Sequence, residues 1–304
     1  MDYGVHLPHL GRAVDGATLQ RFAHRAESIG YHSAWVSDHI AWPAAIESKY
    51  PYSDDGTFPA PPGVPWLDPL GTLLYVAACT ERIRLGTTVL ILGYRPPVQT
   101  AKLIATLDHL SGGRTILGVG VGWMREEFEV LGMPFDHRGA RADEQLQVFE
   151  ALFTQEQPSF EGRFYRFPPV GFQPRPVQAR VPVWVGGGTE AAFRRCVRFG
   201  DVLHVAFTPL ERIREHIART VALAEEAGRD PASIGYSARV YLDFDGTMDP
   251  AKSLSGPPAR MLETIEQFRE AGVGHLLLDP VARGGVEGRL EAVERFAAEV
   301  MAAR

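Results

Sequence analysis

Eight times along this chain, a short run rich in Val, Ile and Leu gives way to a longer stretch whose apolar residues recur at helical spacing. The runs are YGVHL at 3 to 7, SAWVS at 33 to 37, IRLGTTVLI at 83 to 91, TILGVG at 115 to 120, VPVWVG at 181 to 186, VLHVA at 202 to 206, GYSARVYL at 235 to 242 and HLLLD at 275 to 279. Near-continuous apolar runs fit strands covered on both faces rather than a sheet with one wet side. The stretches between them include TLQRFAHRAESIG, PVQTAKLIATLDHLSGG and ARMLETIEQFREAG, which end around Gly30, Gly112 and Gly272, residues that take a left-handed helix cap without a Cβ penalty. Strand, covering helix and parallel neighbour, repeated eight times in 304 residues, predict a (β/α)8 TIM barrel over 1–304 with no internal domain boundary.

Two stretches interrupt the period. Residues 41–67, AWPAAIESKYPYSDDGTFPAPPGVPWL, follow the second strand and are rich in proline and aromatics. Residues 156–180 follow the fourth unit and hold FEGRFYRF, the pattern of a hairpin, then Pro174 and Pro176. Both are expected as insertions. The first falls on the face where such barrels keep their active sites, so a lid or binding loop is expected against the alternative of a passive surface loop.

Composition narrows the partners. A net charge of −6 without a Lys/Arg cluster gives no footprint for nucleic acid, and no run approaches the length of a membrane span. The first residues lack a basic segment followed by an apolar one, and Cys79 and Cys196 stand far apart, outside any ligand or disulfide spacing. A cytoplasmic protein with two reduced thiols and a small-molecule ligand is expected.

In a barrel the chemistry sits after the strands, where His6, His9, Ser37, Asp38, His39, Leu92 to Arg95, Gly120 to Glu127, Gly186 to Thr189, His204 and Asp279 fall. Asp38 and His39 can supply a proton donor or acceptor near neutral pH, or can be a solvated strand-end pair. Gly186, Gly187 and Gly188, between an apolar strand and the helix TEAAFRRCVRFG, leave backbone amides open to an anion such as phosphate, or form only a tight turn. They also satisfy GxGxxA, but the acid expected at the end of the next strand is missing, since Asp201 precedes VLHVAF. Metal chemistry fails on spacing: the first strand ends in His6-Leu7-Pro8-His9 rather than His-x-His, so no metal site is expected. No GxSxG elbow occurs.

Taken in order, GVHLPHLG, AWVSDHI, RIRLGTTVLILGYRPPVQTAKLIATLDHLSGGR, ILGVGVGWMREEFEVLGMPFDHRGARADE and VPVWVGGGTEAAFRRCVRFGD resemble the luciferase-like monooxygenase family over most of the chain, LSGGR followed by LGVGVGW being the most specific. The pattern, including YPYSDDGTFPAPPGVPWLDP, is more similar to the branch that uses the deazaflavin coenzyme F420 than to the FMN-binding branches. The resemblance implies an F420-dependent oxidoreductase that moves a hydride between the deazaflavin and a small organic substrate. An FMN-dependent monooxygenase is the alternative, with a non-catalytic flavin-binding protein or a metal-dependent hydrolase behind it.

Residue by residue, the resemblance places Asp38 and His39 beside the reactive ring, with His39 as acid or base, and puts a non-proline cis peptide at Thr88-Val89 or its neighbour Leu90. It brings Gly120, Val121 and Gly122 close to the cofactor and gives the phosphate to Gly186, Gly187, Gly188 and Thr189. The expected substrate pocket comprises His6, His9, Trp42 and Trp123. Trp123 stands where the glucose-6-phosphate dehydrogenases of the family carry a glutamate, which argues against a sugar phosphate. Trp42, Tyr50, Tyr52, Phe58 and Trp66 favour an apolar or ring-bearing substrate, packing alone being the competing reading. A homodimer is implied.

Overall fold

The computed structural model describes residues 1–53, 55–58, 60 and 63–303; Asp54, Pro59, Pro61 and Pro62 of the 41–67 stretch, and Arg304, lie outside the described residues. The apolar runs form β1 (Asp2–His6), β2 (Ser33–Val36), β3 (Arg84–Thr87), β4 (Leu90–Ile91), β5 (Thr115–Gly120), β8 (Val183–Gly186), β9 (Val202–Ala206), β10 (Gly235–Asp243) and β12 (His275–Pro280). Parallel pairing runs β1-β2-β3-β5-β8-β9-β10-β12 and returns to β1, with Asp2 opposite His275 at the closure. The predicted (β/α)8 barrel is therefore closed. The third run was expected as one strand over 83–91; it divides after Thr87, and the peptide bond between Thr88 and Val89 is cis. FEGRFYRF forms the antiparallel hairpin β6 (Phe160–Glu161) and β7 (Arg166–Phe167), and β11 (Ser253–Ser255) adds to β10 outside the barrel.

Around the barrel lie α1 (Gly16–Ser28), α2 (Pro69–Cys79), α3 (Pro97–Ser111), α5 (Arg138–Thr154), α6 (Glu190–Phe199), α7 (Leu210–Glu226), α8 (Pro258–Glu270) and α9 (Gly285–Phe296), with the short α4 (Arg125–Val130) after β5. Their ends follow local chemistry. Asp68 caps α2 by accepting from Gly71 N–H ahead of Pro69, and Gly112 ends α3 in the left-handed conformation at φ 67°. The main core lies between strands and helices, and includes Val5, Phe22, Leu85, Ile104, Val119, Leu152, Val240 and Phe296. The barrel interior is different, packed by Trp35, Ile116, Trp184 and Leu277. Glycines make that possible: a Cβ on Gly86 would fall 2.3 Å from the Trp35 ring.

Candidate active site

A cavity of about 1180 Å³ opens at the C-terminal ends of the strands. Asp38, His39, Thr88, Val89, Gly120, Val121, Gly122, Trp123, Gly186, Gly187, Gly188 and Thr189 all line it, so the strand-end logic brings most of the predicted residues to one place. The 41–67 stretch contributes Tyr50, Tyr52, Phe58, Ala60 and Trp66 to its wall.

His39 is the best-positioned proton carrier. Its Nδ1 lies 2.6 Å from Glu127 Oε2, and the Glu127 carboxylate also accepts from Tyr94 Oη at 2.7 Å, Ile40 N at 2.6 Å and Ala41 N at 3.2 Å. Burial raises the cost of charging Glu127, yet the bonds from His39, Ile40 and Tyr94 outweigh it and hold the carboxyl below its ordinary 4.5. An ionised carboxylate only accepts, so Nδ1 of His39 carries the proton and donates. Nε2, which has no protein partner among the described residues, is left for the cavity. Around the imidazole stand Trp66, Trp42 and Phe58, with ring centroids 4.8, 5.0 and 5.4 Å away, an apolar collar that keeps water from the ring.

Glu127 was within the strand-end stretch read from the sequence, but no role was attached to it. Its neighbour Glu126 accepts from Glu47 N and Ser48 N at 2.8 and 2.9 Å, so the two adjacent carboxylates at the start of α4 together hold the loop that follows His39. A Glu-Glu pair opening a helix ordinarily reads as a solvated complement to the helix dipole. The signal that separates Glu127 is its place just before Phe128, on the buried face of α4.

Asp38 lines the cavity but is not the partner of His39. Arg95 grips its carboxylate through Nη1 and Nη2 at 2.7 and 2.9 Å, Ile91 N–H adds a bond at 2.9 Å, and Arg95 also reaches Asp68 at 2.6 Å. Burial pushes the Asp38 carboxyl above its ordinary 3.8 against the pull of Arg95. Asp38 thus anchors the turn after β2 to the end of β4 and to α2.

Four of the residues expected at the pocket do not line the cavity. Leu90 is fully buried in the outer core, because it alternates along β4 with Ile91, which lines the cavity, and so points to the opposite face. His6 and His9 sit one layer below the cavity wall: His6 Nε2 meets Ser37 Oγ at 2.8 Å, and His9 bonds the Ser37 backbone and Leu7 O. Burial drives both below the usual imidazole value, His9 to about 4, so they are neutral supports of the wall. Trp42 lies behind His39, stacked on Trp66 at 5.8 Å, and borders a smaller neighbouring cavity instead of the main one.

Opposite His39 the glycines form a cradle. Val89 wedges between Gly120 and Gly186, where added Cβ atoms would lie 2.4 and 2.6 Å from its methyls. At Gly188 a Cβ would lie 2.7 Å from His216 Cε1, and Gly187 takes φ 125°. Thr189 caps α6 through Ala192 N, which aims the N-terminus of the helix at the cavity. His216 Nδ1 is buried with no protein partner, and Arg138, Arg195 and Arg212 line the same end. A polar group without a partner beside open backbone and three guanidinium side chains fits an anionic ligand. Sequence reasoning missed His216 and Arg212, which reach the cradle from α7, distant in the chain.

The polar wall between these ends is Arg239, which donates to Asp279, to Ser37 Oγ at 3.2 Å and to Thr88 O at 3.4 Å. Among the described residues, no group of three or more His, Cys, Asp or Glu is arranged to hold a metal ion, and no helix is long and apolar enough to cross a membrane.

The family model described as luciferase-like monooxygenase matches residues 3–268. The chain belongs to that family. This luciferase-like protein is an oxidoreductase. It is 38% identical over 207 residues to an uncharacterized protein of Mycobacterium tuberculosis strain H37Rv, covering 68% of this chain and 71% of that one. It is 33% identical over 243 residues to an F420-dependent glucose-6-phosphate dehydrogenase of Kineococcus radiotolerans, covering 78% and 66%. Among solved structures, an F420-dependent secondary alcohol dehydrogenase in complex with an F420-acetone adduct superposes with a TM-score of 0.80 at 19% identity, over 100% of this chain and 99% of that one, a likeness of fold.

Proposed function

We propose that this luciferase-like oxidoreductase is F420-dependent and moves a hydride between the deazaflavin and a small organic substrate, with His39 as the proton carrier. The observation that carries this reading is His39, held by the buried Glu127 with Nε2 free, across one cavity from the glycine cradle. Two features of the cavity fit such a coenzyme: the bare backbone of Gly186, Gly187 and Gly188 in its lining, and the unpartnered His216 Nδ1 at a site suited to phosphate. Gly187 N–H is taken by His204 O, so the amides after it are the anion donors. The F420 dependence of the Kineococcus relative supports the choice of coenzyme.

When bound, the deazaflavin supplies a two-electron carrier. The chain supplies the rest. In the oxidative direction Nε2 of His39 accepts the hydroxyl proton of the substrate while the hydride leaves its carbon, and the imidazolium so formed is stabilised by Glu127. In the reductive direction the same nitrogen returns that proton. The collar of Trp66 and Phe58, with Tyr50 and Trp123, excludes water and selects a compact apolar or ring-bearing molecule. Trp123 in the cavity wall, where the sugar-phosphate enzymes of the family carry a glutamate, speaks against a sugar phosphate. The homodimer and the cytoplasmic location implied by the sequence belong to this proposal, and apolar Leu103 and Leu110, exposed one heptad apart on α3, support a partner face.

The test is a pair of proteins, wild type and His39→Ala, assayed anaerobically with oxidised F420 against a panel of secondary and cyclic alcohols. Coenzyme binding retained and turnover reduced at least a hundredfold in His39→Ala is the expected result. Equal turnover would remove His39 from the chemistry, and oxygen-dependent turnover with reduced FMN would move the chain to the FMN branch.

A further inference from the structure

The barrel interior holds a row of polar side chains that the proposed reaction does not use. His204 on β9, Ser237 on β10 and His275 on β12 are neighbours in register, as are Ser33 on β2 and Gly4 on β1. The side chains of His204, Ser237, His275 and Ser33 point inward, and each of these residues is at most 5% exposed. Their atoms are joined end to end. Thr88 Oγ1 is 2.9 Å from His204 Nε2, His204 Nδ1 is 3.0 Å from Ser237 Oγ, and Ser237 Oγ is 3.0 Å from His275 Nδ1. His275 Nε2 is then 2.9 Å from Ser33 Oγ, and Ser33 Oγ is 3.3 Å from His32 Nδ1. Thr88 and His204 line the cavity, whereas His32 is one-third exposed before β2, at the opposite end of the barrel, with Asp2 3.9 Å away.

We propose that this row is a proton wire that connects the floor of the cavity to solvent at the far end of the barrel. Five consecutive contacts between groups that each donate and accept make an unbroken path. Burial, with a smaller contribution from Arg239, drives His204 to about 3, and burial likewise drives His275 well below the usual imidazole value, so both rings stay neutral with one N–H and one lone pair. The indole of Trp35 can only donate, to Ser33 Oγ at 2.8 Å, so the Ser33 proton is free to point along the row, to His32 or to His275. Transfer is balanced: a proton arrives at Thr88 from the cavity, each hydroxyl passes its proton on and receives another, each imidazole exchanges one tautomer for the other, and one proton emerges at His32 to water. No group changes its net charge. Two glycines are spent on the arrangement, since Cβ atoms on Gly4 would lie 2.8 Å from Ser33 Oγ and 2.9 Å from His275 Cε1, and one on Gly86 would displace the Trp35 ring that covers the row. Oxidation of a hydroxyl releases one proton for each hydride, and a cavity filled by its ligands has its mouth closed. The wire gives a proton on the cavity side a route to solvent separate from His39, and it does not depend on which coenzyme fills the cavity.

The alternative is a static polar plug, and hydrogen exchange separates the two in the ligand-free protein. Ring N–H exchange is followed by NMR on protein labelled with ¹⁵N-histidine, and backbone exchange of Leu277 beside it on amide-labelled protein, each rate being referred to the same group in an unstructured peptide. The wire predicts that the His275 ring is protected at least a hundredfold less than the Leu277 amide, and that the difference shrinks at least tenfold in Ser33→Ala/Ser237→Ala, which cuts both outlets. Referring both to Leu277 corrects for any loss of stability in the variant. Equal protection of ring and amide in the wild type, which needs no variant, would overturn the proposal, as would an undiminished difference in a folded double variant.

Discussion

Replacing Glu127 by Gln is expected to reverse the tautomer of His39 while the barrel stays folded. The wild-type carboxylate has four donors: His39 Nδ1, Tyr94 Oη and the amides of Ile40 and Ala41. Backbone amides can only donate, so the Gln oxygen stays with them and its NH₂ is left facing His39 and Tyr94, both of which can switch roles. Nδ1 must then accept, which moves the ring proton to Nε2, the nitrogen that faces the cavity, and leaves no lone pair there to take a substrate proton. Loss of a charge-assisted bond alone, at about 1.5–3 kcal/mol, lowers turnover by about 10- to 150-fold, and a comparable tautomer inversion in a Ser-His-Asp triad costs about 10⁴. A fall in kcat of about 10²–10⁴ with KM changed only a few-fold is therefore expected. The assay combines ¹⁵N spectra of the His39 ring with turnover. Unfolding as a function of pH gives a second readout. The Glu127 carboxyl is held below its ordinary 4.5 in the folded protein, so its contribution to stability is full above that pH and is lost as pH falls through the folded value. The advantage of wild type over Gln should shrink in that acid range. An Nε2 that remains unprotonated in the variant, or turnover within about threefold of wild type, would refute the reasoning.

Gly188→Ala places a methyl 2.7 Å from His216 in the cradle and should weaken coenzyme binding at least about tenfold, near 1.4 kcal/mol, with the unfolding midpoint little changed; a fluorescence titration beside a urea melt checks both. Arg95→Ala leaves the Asp38 carboxylate buried and unpaired, and should cost about 3–5 kcal/mol in urea unfolding. Because burial raises Asp38 above its ordinary 3.8, that loss should be partly recovered as pH falls and the carboxyl takes up a proton, which melts at several pH values would show.

The barrel was legible because burial on both faces of a parallel sheet leaves long uninterrupted Val, Ile and Leu runs, and no local competitor overrides them. The split of the third run was not legible from periodicity, since TTVLI continues the pattern through Thr88 and Val89; only the resemblance pointed to the cis bond there. Strand-end position brings His39, the glycines and Trp123 to the cavity lining, but says nothing of depth. His6 and His9 therefore looked like pocket residues when they lie one layer below, under Ser37. Adjacency suggested Asp38 as the companion of His39, but the two side chains diverge, one to Arg95 and the other to Glu127. The interior row was hidden for a further reason. Ser33, Ser237 and His275 stand at or near the starts of their strands, where Ser and His usually mark a loop, and only barrel closure brings them into one layer.

The central claim is tested most directly by titrating the purified protein, free of coenzyme, with F420 and separately with FMN, each oxidised and reduced, following absorbance and fluorescence. Stoichiometric, micromolar or tighter binding of F420 with much weaker binding of FMN is the predicted result. Tight binding of FMN alone, or of neither, would contradict it.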